Sequence, residues 1–130
     1  MSEEFKVEIV NPEKSFLVKE DAIEVVVPAF EGEMGILKNH IPIISFLKPG
    51  IIKIFSKSKS ENYYVEDGII EFQNNNLSIL TSTIFNISDM DKSIQQNLLK
   101  QAQDELNKTE INDQLKYLID QKIEVLKSLN

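Results

Sequence analysis

Residues 30–42 read FEGEMGILKNHIP, and Lys48-Pro49-Gly50 follows a few positions later. Gly32 and Gly35 interrupt strand-like sequence between acidic side chains, and the one histidine of the chain lies just beyond them. Proline fixes φ and glycine permits positive φ, so both residues mark tight turns, and Gly50 is expected to use that freedom. The stretch therefore predicts turns between strands, and the side chains around it do not form a recognisable catalytic set.

The sequence on both sides of this stretch alternates with the period of two that is typical of β-strands. Phe5, Val7 and Ile9 line one face of a first strand, and a β-branched run over residues 16–27 is expected to bend near residues 19–21. Turn signals occur at Asn11-Pro12, Lys48-Pro49-Gly50, Asp67-Gly68 and Asn74-Asn75-Asn76. Short strands separated in this way predict an antiparallel β-sandwich or a flattened barrel.

The period changes near Ser88 to that of an α-helix. Ser88 and Asp91 match a loose N-terminal capping pattern, in which the serine would accept a bond from a free backbone amide. Asn107-Lys108-Thr109 then interrupts the helical pattern, and Thr109 or Asn112 can cap a second helix. We therefore expect two helices in the last third of the chain.

Each predicted helix carries an apolar stripe at helical spacing. The stripes are Ile94, Leu98, Leu99, Ala102 and Leu106 in the first helix and Leu115, Leu118, Ile119, Leu126 and Leu129 in the second. Two such helices joined by a short polar connection form an antiparallel hairpin. We therefore predict a mainly β fold with an α tail: a β-sandwich domain over residues 1–87 and an α-helical hairpin domain over residues 88–130.

The composition excludes several classes of function. The chain has 21 acidic residues against 14 basic ones, and all the basic residues are lysine. It therefore lacks the basic surface that binds nucleic acids or anionic lipids. With no cysteine and one histidine it cannot build a metal site from the usual nitrogen and sulfur ligands. The sequence predicts no catalytic residue, no cofactor, no metal, no nucleic acid partner and no direct lipid insertion.

The N-terminal residues and the overall hydropathy bear on location. Residues 1–5 carry neither a basic region nor an apolar run, so we expect neither secretion nor organelle import. The sequence also has no apolar run of the roughly 20 residues that a membrane-spanning helix needs. Any association with a membrane is therefore expected to be peripheral and to go through another protein.

Residues 31–42, together with Lys48-Pro49-Gly50, resemble the E-G-E-x-G-I-x-x-x-H-x-P…K-P-G signature of the epsilon subunit of the bacterial F-type ATP synthase. The resemblance implies a β-sandwich followed by two helices, which is the architecture that the periodicity predicts independently. It also implies a non-catalytic subunit of the central stalk, which couples the gamma subunit to the membrane c-ring of a proton-translocating synthase. The implied location is the cytoplasmic face of the bacterial inner membrane.

The resemblance further implies two contact regions. The positions matching the c-ring contact are Glu31, Glu33, Met34 and Gly35, and those matching the gamma-subunit contact are Asn11 and His40. Gly35 would serve where the backbone approaches a neighbour closely or takes positive φ. Read without the resemblance, the two acids are ordinary surface-turn residues, and a lone histidine in an apolar stretch is usually a hydrogen-bonded structural residue.

The helical tail carries a third implied role. In bacterial relatives the hairpin can extend to the beta subunit and stop rotation through basic residues of its second helix. Here Lys116, Lys122 and Lys127 are offset by neighbouring acids, so we expect at most weak inhibition of ATP hydrolysis. Lys122 falls within the apolar stripe, where an extended stem reaching toward solvent is the ordinary explanation.

Some bacterial epsilon subunits bind ATP through an I/L-D-x-x-R-A motif at the start of the tail. Residues 90–95 match this motif at Asp91, but Ile94 and Gln95 stand at its arginine and alanine positions. A chain without arginine lacks the bidentate donors that hold phosphates most strongly. We therefore expect no tight binding of ATP.

Two other classes of function remain open on the sequence alone. One is an autonomous β-sandwich adaptor whose hairpin binds an unrelated partner, because a fold does not by itself determine a function. The other is a small hydrolase that uses Glu31 and Glu33 as paired carboxylates, as glycosidases do.

Overall fold

Alternating apolar and polar side chains build most of the molecule. The computed structural model describes residues 3–108 and 110–129, and this part of the chain forms ten strands, one 3-10 helix and two α-helices. The strands are β1 (Phe5–Asn11), β2 (Lys14–Ala22), β3 (Glu24–Ala29), β4 (Gly32–Ile36), β5 (Ile43–Leu47), β6 (Gly50–Phe55), β7 (Ser60–Val65), β8 (Gly68–Gln73), β9 (Asn76–Leu80) and β10 (Ile84–Asn86). The 3-10 helix (Ile87–Asp89) leads to the helices α1 (Lys92–Leu106) and α2 (Asp113–Lys127). The predicted fold class is confirmed.

The strands form one sheet in the order β10-β7-β6-β3-β5-β8-β9-β1-β2, and β4 pairs with β3 beside this path. All neighbours are antiparallel except β1 and β9, which run parallel from the pair Lys6–Asn76 to the pair Val10–Leu80. A single residue pair, Ala29 with Leu47, joins β3 to β5. The sheet therefore divides at this point into two halves, which face each other as the layers of a sandwich.

The core lies between these two layers. It is built from the inward-pointing residues of both halves, among them Val7, Ile9, Val25, Val27, Ile52, Ile54, Ile70, Phe72, Leu77 and Ile79, all of which are buried. The period of two predicted for the first strand is confirmed, because Phe5, Val7 and Ile9 are buried while Lys6 is exposed. Sheet packing of this kind makes the body of the molecule stiff.

An ion pair joins the edge strand β2 to β7 across the two layers. The ammonium of Lys19 lies 2.9 Å from Oε1 of Glu61, and the hydroxyl of Tyr63 donates to Oε2 of the same carboxylate at 2.7 Å. Burial alone would raise the pKa of Glu61, but the bonds from Tyr63 and Lys19 outweigh it and lower that pKa. The pair is therefore charged at neutral pH and fixes the position of the sheet edge.

Two of the predicted turns have the expected backbone. Asn74 and Asn75 both adopt positive φ and close the hairpin between β8 and β9, as the asparagine triplet predicts. Asp67-Gly68 separates β7 from β8, and Gly68 has a φ of 153°. The long run over residues 16–27 is divided at Ile23, between β2 and β3. The register between β1 and β2 also shifts by one residue between Lys19 and Ala22, which is a β-bulge at the place where the bend is predicted.

The expectation for Gly50 is wrong, because its φ is not positive. Gly50 starts β6, and a Cβ atom at this position would lie 2.5 Å from Cβ of Pro28. The glycine is therefore needed for the close approach of β6 to β3. Gly35 likewise has no positive φ and lies within β4, whereas Gly32, at the start of β4, has a φ of 130°.

The helix caps correct part of the prediction for the tail. Asp91 caps α1 by accepting a bond from the amide of Ile94 at 2.9 Å. Ser88 lies in the 3-10 helix instead, where its hydroxyl donates to Oδ1 of Asn86 at 2.8 Å. Asn112 caps α2 as predicted, and Thr109 lies outside the described residues. The stripe residues Ala102, Ile119 and Leu126 are buried, but Leu115 points outward and is 41% exposed.

Replacing Gly50 by alanine tests the close approach of β6 to β3. The added methyl group would overlap the Pro28 ring, so Gly50→Ala should lower the free energy of unfolding by about 1–3 kcal/mol in urea titrations. Gly35→Ala is the matched control, because its Cβ would meet only the flexible carboxylate of Glu24, at 3.2 Å. Equal stability of the two variants would contradict the assignment.

Candidate partner-binding face

The layer that contains β5, β8, β9 and β1 exposes an apolar row on the side away from the core. Phe46 pairs with Ile69, Ile69 with Leu80, and Leu80 with Val10, so the four side chains stand next to one another across four strands. Phe46 is 57% exposed, Ile69 41% and Leu80 49%, and Val10 is half-buried. We call these four residues the outer apolar row.

A cleft of about 580 Å³ continues this row at one end of the sandwich. Its walls include Phe46, Ile69 and Leu80, together with Pro12 from the β1–β2 turn and Phe30 from the β3–β4 turn. Phe30 is held beside the row because its amide donates to the carbonyl of Phe46 at 3.2 Å. Contiguous exposed apolar surface of this kind often marks a site of interaction with another protein.

Asn11 and His40 lie at opposite ends of this face. Asn11 directly follows Val10, beside the cleft, whereas His40 precedes β5 and its ring packs edge-on against Phe72 with centroids 5.9 Å apart. Phe72 pairs with Ile43 at the far end of β5. The five residues of β5 separate the two ends by about 14 Å, given the usual rise per residue. The two predicted gamma contacts therefore do not form one cluster, and the His40 ring lies against Phe72, a residue of the core, not against the outer apolar row.

His40 has local partners that orient it. Nδ1 donates to the carbonyl of Ile41 at 2.8 Å, and the backbone amide donates to Leu37 at 3.0 Å. The preceding residue, Asn39, is tied to Asn75 of the β8–β9 turn by two bonds: its amide donates to Oδ1 of Asn75 at 2.7 Å, and Nδ2 of Asn75 donates to its Oδ1 at 3.2 Å. The loop that carries His40 is therefore fixed to the neighbouring hairpin.

The four residues matched to the c-ring contact lie on the β3–β4 hairpin. Glu31 is in the turn and Glu33 is in β4, and both carboxylates are exposed. Met34 differs from them, because its side chain is half-buried and packs against the core. Gly35 is exposed on β4. The structure thus presents two acids at the tip of this hairpin and uses the methionine to anchor it.

The three tail lysines have different environments. Lys116 and Lys127 are exposed on α2. The Lys122 side chain is only 16% exposed, and its ammonium lies 3.5 Å from Oε1 of Glu66 and 3.4 Å from Oε1 of Glu105. Lys122 is therefore already bound between two carboxylates, and the explanation that its stem merely reaches toward solvent is wrong.

The described residues offer no site for metal chemistry. Within residues 3–108 and 110–129, no group of three or more His, Cys, Asp or Glu side chains is arranged to hold a metal ion. In that same part of the chain, neither helix is long and apolar enough to cross a membrane. The chemistry that the outer apolar row supports is the binding of another apolar surface.

The outer apolar row is not among the features predicted from the sequence. Its signal is present, because residues 43–47 read IISFL and Ile69 is followed by Ile70, so apolar side chains occupy both faces of β5 and β8. Such runs normally indicate strands buried on both sides. Here the second side of the strands remains uncovered.

Comparisons with known proteins define the class. The family model described as the ATP synthase delta/epsilon chain β-sandwich domain matches residues 4–87. A curated protein of Pelagibacter ubique, "ATP synthase epsilon chain", is 74% identical over 130 residues, covering 100% of both chains. The chain therefore belongs to the ATP synthase epsilon chain family, whose members are non-catalytic stalk subunits.

Two solved structures share the fold. One is a cryo-EM structure of the Euglena gracilis mitochondrial ATP synthase with OSCP, F1 and c-ring, in which a chain matches with a TM-score of 0.75, 17% identity and coverage of 99% of this chain and 81% of that one. The other shows the central stalk and c-ring of the Tetrahymena thermophila mitochondrial ATP synthase, with a TM-score of 0.66, 15% identity and coverage of 97% and 96%. At these identities the two structures support the fold.

Replacing Asn75 tests the bonds that hold the His40 loop. Asn75→Gly keeps the positive φ of 59° accessible but removes both side-chain bonds to Asn39, so the free energy of unfolding should fall by about 1 kcal/mol. Hydrogen exchange at the Asn39 amide should accelerate with it. Asn74→Gly, in the same turn, is the control and should change neither quantity. An unchanged Asn39 amide in Asn75→Gly would show that the bonds do not hold the loop.

Proposed function

We propose that this chain is a non-catalytic subunit of the central stalk of ATP synthase that connects the gamma subunit to the membrane c-ring. Membership in the epsilon chain family supports the proposal. The observation that carries it is the uncovered outer apolar row, which a free-standing protein would normally bury. The same membership favours this function over an unrelated adaptor or a carboxylate hydrolase.

The outer apolar row is the proposed binding face for the gamma subunit. Phe46 provides a large apolar side chain at the β5 end of the row, and aromatic residues often contribute much of the binding free energy of an interface. Asn11 and His40 are proposed to lie at the two borders of the contact, where polar residues normally surround an apolar centre. His40 is suited to that place because its loop is tied to the β8–β9 turn.

The tip of the β3–β4 hairpin is the proposed contact with the c-ring. Glu31 and Glu33 are exposed there and can accept hydrogen bonds from polar loops of a partner. Met34 contributes by anchoring the hairpin to the core, and Gly35 by leaving the strand surface open. The tip lies at the same end of the sandwich as the cleft, because Phe30 lies in the β3–β4 turn and also lines the cleft. One stiff body thus offers two adjoining surfaces to two different partners.

The helical tail is proposed to form a separate domain over residues 88–130, after a sandwich domain over residues 1–87. Contact of the tail with the beta subunit would use Lys116 and Lys127, which are exposed, whereas Lys122 would first have to leave both of its carboxylate partners. We therefore infer weak inhibition of ATP hydrolysis at most. We also infer no tight ATP binding, because the Asp91 carboxylate is engaged in capping α1.

The proposed location is the cytoplasmic face of the bacterial inner membrane, with attachment through the other subunits. This location follows from the proposed contacts and is consistent with helices that cannot cross a membrane in the described part of the chain.

Replacing residues of the outer apolar row tests the proposal. Tagged chains carrying Phe46→Ser and Leu80→Ser together should co-purify about tenfold less gamma subunit than the wild type, because truncating two large apolar interface residues commonly costs at least that much affinity. Their circular dichroism and urea unfolding should stay close to wild type, since both side chains are half-exposed in the free chain. Quantitative mass spectrometry of the purified complexes provides the measurement.

Tyr117→Ser is the matched control. Tyr117 is 50% exposed on α2, far from the outer apolar row in sequence and on a different element. This variant should co-purify gamma as the wild type does. A folded Phe46→Ser/Leu80→Ser variant that retains gamma fully would refute the proposed face.

A further inference from the structure

The side of β7 that faces away from the core is covered by the helical hairpin. Tyr63 and Val65 point into the core, so Tyr64 between them points to the opposite side, and yet it is completely buried. Its hydroxyl donates to Oε2 of Glu66 at 2.9 Å. Because Glu66 is contacted by Lys122 of α2, the cover over Tyr64 is the hairpin.

The polar groups at this junction form one connected set. Lys122 shares its ammonium between Glu66 of the sandwich, at 3.5 Å, and Glu105 of α1, at 3.4 Å. The Glu66 side chain is only 19% exposed, so its charge is poorly solvated when the hairpin is in place. We call Lys122, Glu66 and Glu105 the Lys122 cluster. Within this cluster the Lys122 ammonium is the one cation, and it joins three structural units: the sandwich, α1 and α2.

Loss of the cation would leave two carboxylates facing each other at a partly buried junction. Burial raises the pKa of Tyr64, and the negative charges of Glu66 and Glu105 raise that pKa further. The surroundings of the Tyr64 hydroxyl are therefore negatively charged. Like charges held close together in such surroundings repel, and an unpaired half-buried carboxylate costs more than a solvated one. Lys122 therefore stabilises this junction by neutralising the repulsion between the two carboxylates.

We propose that the Lys122 cluster is an ionic latch that sets how firmly the helical hairpin is docked on the sandwich. Docking through shared charge differs from docking through apolar contact, because removing one charge leaves its partners unpaired at a half-buried junction. The hairpin should therefore be released by the loss of one of these charges, while the core of the sandwich stays intact. This inference rests on the contacts of Lys122 and not on the proposed partners.

Hydrogen exchange on the full chain tests the latch. In Lys122→Gln and in Glu66→Gln, amides of α2 should lose about tenfold of their protection, while amides of β8 and β9 should keep theirs. Nitration of Tyr64, mapped by mass spectrometry, should rise in parallel because the hairpin no longer covers the ring. Reversing both charges, in Lys122→Glu combined with Glu66→Lys, should recover part of the lost protection relative to Lys122→Glu alone.

A variant on the same helix provides the control. Lys116→Gln removes an exposed lysine from α2 and should leave α2 protection within twofold of wild type. Protection of α2 that is unchanged by both Lys122→Gln and Glu66→Gln would overturn the proposal, as would an equal loss in Lys116→Gln.

Discussion

The pairing register of β5, β8, β9 and β1 is the constraint on which the rest of the structure depends. Because side chains alternate between the two sides of a strand, this register places Ile70, Phe72 and Leu77 in the core and Phe46, Ile69 and Leu80 on the outside. A slip by one residue would exchange the two sets. The same pairing that builds the core therefore also assembles the outer apolar row.

The proposed binding face is rigid before a partner arrives. Its side chains stand on hydrogen-bonded strands, and its borders are tied down by the Asn39–Asn75 bonds and by the bond from Phe30 to Phe46. Little conformational entropy is then lost on binding, so more of the free energy gained by burying apolar surface is retained as affinity. Rigidity also suits a part that transmits torque, since a deformable link would absorb it. The helical hairpin, in contrast, is attached through charge at the Lys122 cluster, so the molecule combines a stiff body with a more weakly held tail.

The sequence predicted the sandwich, both helices and most turns, because these follow from local periodicity and from residues with restricted dihedrals. The turn signal at Lys48-Pro49-Gly50 does not explain Gly50, because a glycine is needed there for the proximity of Pro28, a contact between strands that are distant in sequence. The parallel pairing of β1 with β9 was missed for the same reason. The outer apolar row could not be distinguished from core residues in the sequence. A strand with apolar residues on both faces has the same sequence pattern whether its second face is covered or exposed. The ion pairs of Lys122 could not be predicted either, because its partners Glu66 and Glu105 lie on other elements.

Crosslinking from single cysteines tests the central claim most directly, because the chain contains no native cysteine. Cysteines introduced at residues 11, 40 and 46 of the chain, assembled into ATP synthase, should each capture the gamma subunit, and cysteines at residues 31 and 33 should capture a c subunit. A cysteine at residue 117 serves as the reference for chance encounters. Capture of gamma from residue 46 at the level of residue 117, in a complex that still contains this chain, would contradict the account.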